Sequence, residues 1–340
     1  ADIIQEVKSI CAEVLGAPPA VYDVIFTSNT TEAINLVAES LRNEADPDTE
    51  TVVLNTLLEH NSDELPWRTV PGFRLVRLPV DGEGFVDLDQ LETLLRVYNE
   101  ERKHGKKQVK LVTVSGASNV LGVCNDVAEI GRIAHRYGAR LLVDGAQLVA
   151  HRQVEVERSG IDYFAFSAHK VYAPFGTGVL LVRKGLRNFS PAEVALIQSS
   201  GEENVAGIAA LGKALVLLQR IGLDVVQQEE QALTARAMRG LAQIPGLTIY
   251  GIKDPDSPRF AQKGGVIVFG LQNLMADRVA KELAEQGGIG VRAGCHCAHL
   301  LIKHVLNIHP LLEQFQGLML RLFSQVSLPG LTRVSLGIEN

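Results

Sequence analysis

The sequence predicts an α/β fold: a mostly parallel sheet flanked by helices on both faces, followed by a smaller C-terminal α+β domain. Three observations carry this. Short apolar runs recur between residues 24 and 184, separated by helical patterns. The runs are apolar at successive positions rather than alternating, as strands buried on both faces are. Polar residues gather just after several of them, where an open parallel sheet binds ligands.

Residues 2–15 place Ile3, Ile4, Val7, Ile10, Cys11, Val14 and Leu15 on one helical face, with Gly16 as a C-cap. VIFTS (24–28) precedes a helix over 31–41, and TVVLNT (51–56) precedes a short helix over 64–67. FRLVRLPV (73–80) leads to a helix over 87–97, and KLVTVS (110–115) to one over 127–137. ARLLVDGA (139–146), YFAFSAH (163–169) and GVLLVRK (178–184) complete the sheet. Beyond it, helical patterns cover 203–221 and 223–243, and TIYG (248–251), GVIVFG (265–270), GIGVRAG (288–294) and TRVSLG (332–337) read as strands. The expected division is a large α/β domain over 1–205 and a smaller α+β domain over 206–340. The chain opens on Ala1 rather than Met and stops just after a strand-like run. The expectation is that the start of the first domain and the end of the second are missing.

Composition narrows the class. The 340 residues suffice for roughly two domains. With 46% hydrophobic and 21% charged residues, the chain is globular rather than disordered. Lys+Arg 33 against Asp+Glu 39 leaves −6, which disfavours nucleic acid as a partner. No apolar stretch reaches the roughly 18 residues of a membrane span, and the acidic, amphipathic start is not a signal peptide. Four cysteines, two isolated and two in a C-x-C pair, point to a reducing cytoplasm.

After VIFTS, Asn29 and Glu32 form a capping box with Thr30 and Thr31 between them, and a helix N-terminus with hydroxyls is an anion site. Taken alone it is an ordinary capped helix. His60 follows the next strand, where a loop histidine alone means little. Asn119 follows KLVTVS and alone is a turn residue. The signal sharpens at Asp144, a carboxylate ending a strongly apolar strand, which needs a cation or several donors. Gln147 lies three residues on. The next strand ends in Ser167, His169 and Lys170, a lysine placed to react with a carbonyl. Together these supply a phosphate cradle, an acid for a ring nitrogen and an amine for an aldehyde, the three demands of pyridoxal 5′-phosphate (PLP).

The stretches FTSNTTEAINLVAES, EHNSDELPW, SNVLGV, LLVDGAQ, FSAHKVYAPFGTGVLLV, VRAGCHCA and TRVSLG resemble, in order, those of the class V aminotransferases. These are fold-type I PLP-dependent enzymes, and the resemblance is to their cysteine desulfurase and selenocysteine lyase branch. It implies that Lys170 carries PLP covalently, Asp144 pairs with its ring nitrogen and Gln147 bonds its ring oxygen. It further implies that His60 stacks on the ring and that Thr30, Thr31, Ser167 and His169 hold the phosphate. Asn119 would lie over the ring near the substrate, and Arg333 would clamp the α-carboxylate. Cys297 would be the nucleophile that takes sulfur, or selenium, from a cysteine or selenocysteine substrate, leaving a persulfide and alanine. Arg292 would shape the loop, and His296 or His299 would supply positive charge to the thiol. A homodimer and a sulfur-acceptor protein are the implied partners.

The sequence also departs from the family. The expected N-terminal arm has no match. Glu202 stands where the family has a threonine reaching the neighbouring subunit's phosphate. Cys295 stands where relatives often carry histidine, and as a second thiol it could accept a persulfide from Cys297. The link from Lys184 to Gly201 is short. Two alternatives accompany the desulfurase reading: another class V enzyme (an aminotransferase, epimerase or carbon–sulfur lyase), or a degenerate, partner-binding homologue. Zinc on Cys295, Cys297 and His299 is disfavoured because no second ligand pair is evident, so no metal is expected. Cys11 and Trp67 read as core, Cys124 as an inert loop thiol, and His304 and His309 as surface or core-edge residues.

Overall fold

The structure of the chain, a computed structural model, describes residues 2–44, 46–308 and 330–337. His309 lies outside the described residues. Backbone contacts separate two units: 1–81, 86–117 and 124–227, and 82–85, 118–123 and 228–340.

The first unit opens with α1 (Asp2–Val14), which buries Ile4, Val7, Cys11 and Ala12. Gly16 follows with φ +57, in the left-handed region where a C-terminal glycine costs least. Next come β1 (Tyr22–Thr27), α2 (Thr30–Asn43), β2 (Glu50–Asn55), α3 (Asn61–Thr69), β3 (Phe73–Arg77) and α4 (Leu88–Leu95). They are followed by β4 (Lys107–Ser115), α5 (Val127–Arg136), β5 (Arg140–Asp144), β6 (Tyr163–Ser167) and β7 (Gly178–Arg183). The seven strands form one sheet in the order β1-β7-β6-β5-β4-β2-β3. From β3 to β6 every pairing is parallel, while β7 runs antiparallel between β6 and β1. The expected mostly parallel sheet is thus present, with its reversed strand at one side.

That reversal shapes the ligand edge. Gly178 begins β7 opposite Thr27 and Ser167, the ends of β1 and β6. A Cβ on Gly178 would stand 2.6 Å from the Asn29 Cα, so only glycine lets the three segments meet.

Two helices close the first unit. Ser190 and Glu193 form a capping box that opens α6 (Pro191–Glu202), with Pro191 in its first turn. The sequence patterning predicts no element here, although Ser-Pro-x-Glu is a helix-start signal. The single expected helix over 203–221 is α7 (Val205–Ile221), whose N-cap Asn204 separates it from α6. α7 packs Ile208, Leu211 and Leu215 into one apolar cluster with Val7 and Cys11 of α1. This explains why the division falls at 227/228, inside α8 (Leu223–Leu241), rather than at the expected 205/206.

The second unit is a four-stranded antiparallel sheet, ordered β10-β11-β9-β8. Its strands are β8 (Leu247–Ile249), β9 (Val266–Leu271), β10 (Arg292–Gly294) and β11 (Leu331–Ser335), with α9 (Ala276–Gly287) and α10 (His299–Val305) between them. Met238, Ile249, Ile267, Phe269 and Val279 form its core. Segment 118–123, which follows β4 in the chain, belongs to this unit, where Gly264 donates to the Gly122 carbonyl. Among the described residues no single helix is long and apolar enough to cross a membrane.

Leu211 is fully buried, so Leu211→Ala should lower the stability of the first unit by about 2–5 kcal/mol. Urea unfolding followed by circular dichroism would measure it, and an unchanged midpoint would contradict the α1–α7 packing.

Candidate active site

The strand ends of the first unit gather most of the predicted residues. Thr30 opens α2 and Ser167 ends β6, yet the Thr30 amide donates to Ser167 Oγ at 2.8 Å and the two hydroxyls lie 2.6 Å apart. Asn29 caps α2 by accepting from the Glu32 amide, as the sequence predicts, and Glu32 returns the bond to the Ser28 amide. Thr31 is exposed and bonds Ser62 Oγ at 2.7 Å. Ser62 in turn lies 2.9 Å from His60 Nδ1 and donates its amide to the same nitrogen. His60 is therefore the N-cap of α3, with Nδ1 as acceptor; in the neutral ring the proton sits on Nε2. The sequence reading missed Ser62, which joins the predicted Thr31 and His60.

Asp144 ends β5 and is 5% exposed. Burial pushes its carboxyl up to about 6, against the Ala146 amide bond and the Lys170 charge, which both lower it. Lys170, half-buried, ends a 3₁₀ turn over Ala168–Lys170. His169 in the same turn is exposed, and burial together with the Lys170 charge lowers its pKa. Gln147 is half-buried beyond Asp144.

Two further buried acids were not singled out from the sequence. Glu59, beside His60, accepts from Thr56 Oγ1 at 2.6 Å and from Ser115 Oγ at 2.8 Å. Asp63 accepts from Thr113 Oγ1 at 2.7 Å and from Trp67 Nε1 at 3.0 Å. Burial pushes Glu59 up to about 7 and Asp63 well above the usual carboxylate range, and Asp144's charge raises both further. Trp67 is core, as expected, and also a donor. Cys11 is fully buried, and burial lifts its thiol to about 12. Cys124 is half-buried and His304 exposed. Glu202 is held by Lys8, whose Nζ lies 2.5 Å from its carboxylate, so its charge is already matched.

The second unit holds the other predicted residues. Cys297 lies in the turn after β10, with φ +56, and His296 beside it has φ +53. Two consecutive non-glycine residues in the left-handed region mark a strained turn. Arg292 Nη2 lies 3.9 Å from Cys297 Sγ. His296 does not supply positive charge. It is 2% exposed, its Nε2 lies 3.0 Å from the Leu331 carbonyl, and burial pulls its pKa down to about 4. Among the described contacts Arg292 is a cation beside the thiol, a residue the sequence signalled only as a loop former. Arg333 stands opposite Arg292 in the β10–β11 register and donates from Nη1 to the Asn119 carbonyl at 2.8 Å. Burial and then the Arg292 charge lower the Arg333 pKa. Asn119 Nδ2 donates to the His296 carbonyl at 2.8 Å, so Asn119, Arg333 and the Cys297 turn form one cluster.

The family model of aminotransferase class V matches residues 1–340. The chain belongs to the class V aminotransferase family. A probable cysteine desulfurase of Halalkalibacterium halodurans is 35% identical over 303 residues, which cover 83% of this chain and 70% of that protein. A cysteine desulfurase of Dickeya dadantii is 37% identical over 323 residues, covering 88% and 73%. The apo structure of a cysteine desulfurase from Thermococcus onnurineus NA1 superposes with a TM-score of 0.80 at 28% identity, covering 100% of this chain and 80% of that one.

This family is PLP-dependent, and the first unit's donors fit that cofactor. Buried Asp144 takes one side-chain hydrogen bond among the described contacts, from the Ala146 amide, and so suits a protonated ring nitrogen. The hydroxyls of Thr30, Thr31 and Ser167 cluster at the α2 N-terminus, where a phosphate is favoured.

The raised pKa of Asp144 fixes a sign. Its folded value lies above the unfolded one, so the folded chain binds more protons across about pH 4–6. Stability from this group is present at the acid end of that window and lost as pH rises through it. Without cofactor, Asp144→Asn should raise stability at pH 7.5 by about 3 kcal/mol and have little effect at pH 4. Thermal denaturation at the two pH values would check this; equal shifts at both would refute the burial argument.

Proposed function

We propose that the chain is a PLP-dependent cysteine desulfurase that moves the sulfur of L-cysteine onto Cys297 and releases alanine. The observation that carries the reading is the Cys297 thiol, set on a left-handed turn with the Arg292 guanidinium 3.9 Å away. A transaminase or epimerase has no use for a thiol held beside a guanidinium. The second reading, another class V reaction, has no comparable observation. A degenerate copy is disfavoured because Lys8 already neutralises Glu202.

PLP, when bound, supplies an electron sink that acidifies the substrate Cα–H. Lys170 is the residue that attaches it, Asp144 holds its ring nitrogen and Gln147 its ring oxygen. Thr30, Thr31, Ser167 and His169 hold its phosphate, and His60 covers the ring. Arg333 binds the substrate α-carboxylate, with Asn119 beside it. The ε-amine of Lys170 then takes the Cα proton, as a general base. Cys297 thiolate attacks the substrate sulfur. A sulfur–sulfur bond forms at Cys297, the substrate Cβ–S bond breaks, and Cβ keeps that electron pair and gains a proton. The products are alanine and a Cys297 persulfide, whose outer sulfur passes to an acceptor protein. Selenocysteine fits the same steps. By family likeness the working form is a cytoplasmic homodimer.

Cys297→Ala should keep PLP absorbance and lower alanine formation from L-cysteine by at least about a hundredfold, roughly 3 kcal/mol of transition-state stabilisation. Lys170→Ala should abolish borohydride-fixed cofactor, read by peptide mass spectrometry. Alanine release at wild-type rate by Cys297→Ala would point to another class V reaction.

A further inference from the structure

Lys263 is fully buried, and the reaction just described makes no use of it. A buried ammonium is costly, and a lysine serving only to fill space would be better replaced by methionine or leucine. Its Nζ donates to the Leu121 carbonyl at 2.5 Å. Two backbone ties sit beside that contact: Gly264 donates to the Gly122 carbonyl at 2.7 Å, and Val123 forms a bridge with Lys263. The fit is close. Gly122 has φ +67, and a Cβ there would stand 2.6 Å from the Val266 carbonyl and 3.3 Å from Lys263 Nζ. The segment is also bound to itself, since Ser118 donates its amide to the Val123 carbonyl and accepts from the Leu121 amide.

Asn119 sits inside this short loop. Its side chain reaches the His296 carbonyl, and its own carbonyl receives Arg333. Whatever fixes residues 121–123 therefore fixes the cluster of Asn119, Arg333 and the Cys297 turn. We propose that Lys263 is the positioning residue of this loop, its ammonium holding the Leu121 carbonyl so that Asn119 bridges Arg333 and the backbone of the Cys297 turn. Without that donor the carbonyl is left buried and unpaired, the loop relaxes, and Asn119 moves off both partners.

The substrate half of the proposal rests on the desulfurase reading; the structural half does not. The test therefore has two arms, on Lys263→Met, Asn119→Ala and the double variant. In cofactor-free protein, the rate of iodoacetamide labelling at Cys297, mapped by mass spectrometry, should rise at least about threefold in Lys263→Met and by the same factor in the double variant as in Asn119→Ala. In PLP-loaded enzyme, Lys263→Met should raise KM for L-cysteine about tenfold while kcat stays within about threefold, because the loss of the charge-assisted bond to the Leu121 carbonyl falls on the carboxylate clamp. The visible spectrum of the loaded enzyme should not change. Wild-type labelling in Lys263→Met, or effects that multiply in the double variant, would overturn the proposal. Should Lys263→Met fail to fold, Lys263→Gln, which keeps a donor on a shorter stem, is read in the same two arms, with smaller effects in the same direction expected and wild-type values overturning it. If the wild-type enzyme shows no cysteine turnover, the desulfurase reading fails while the labelling arm still decides the role of Lys263.

Discussion

A carboxylate buried at a strand end must be protonated, matched by a cation or supplied with donors, and Asp144 imposes that constraint on its surroundings. Its charge is felt by Glu59 and Asp63, which are buried and, among the described residues, have no basic partner in their hydrogen bonds. Their bonds come instead from neutral donors: Thr56, Ser115, Thr113 and the Trp67 indole. Glu64, in the same helix as Asp63, is handled in the opposite way. Burial raises it, but bonds from Arg77 and Asn55 outweigh burial and hold it below the usual range. Arg77 and Arg68 thus pair with Glu64, while burial raises Glu59 and Asp63. Asp144 is raised by burial as well, with the Ala146 amide and the Lys170 charge acting against that rise.

How much of this was legible depended on whether a residue acts where a strand ends or where the chain returns from a distance. Asp144, Ser167 and Lys170 follow apolar runs directly, so strand periodicity located them. The mostly parallel sheet was legible for the same reason, because its strands are apolar on both faces. Ser62 and Arg292 were not legible as site residues. Ser62 matters only because α2 and α3 bring Thr31 within 2.7 Å of it, and Arg292 only because the turn after β10 folds Cys297 back towards it. The division at 227/228 has a similar reason: α7 reads as the start of something new, and its contact with α1 places it with the first unit. The missed α6 was different, since its capping box was present in the sequence.

The turn around Cys297 shows why a histidine beside a thiol does not make it a charge donor. Protonating a buried imidazole costs desolvation, and the neighbouring guanidinium groups of Arg333 and Arg292 raise that cost. His296 stays neutral and serves the backbone, with Nε2 at the Leu331 carbonyl. A guanidinium does not lose its proton under such pressure, so Arg292 can stand beside a sulfur where histidine would discharge. Arg292 and Arg333 face each other across two strands, an arrangement that repulsion alone disfavours. The repulsion becomes useful if anions visit the pair. An anion bound at either guanidinium would relieve it.

β4 shows how one strand can serve both chemical tasks. Thr113 and Ser115 satisfy the buried acids of the first unit, and the Gly116 amide donates to the Asp144 carbonyl at 2.9 Å. A few residues later the chain enters the segment that belongs to the second unit and delivers Asn119 to Arg333 and the His296 carbonyl. It then re-enters the first unit at Cys124, bridged to Ala117. Such an excursion is stable only if its tip is tied down, since a six-residue loop anchored at its base alone would leave the Asn119 amide free to sample many positions. The ties at the tip are the Gly122 and Leu121 carbonyls, the second of them held by Lys263. A backbone carbonyl offers no side chain for sequence periodicity to register, so the contact of Lys263 with Leu121 has no signal in the sequence.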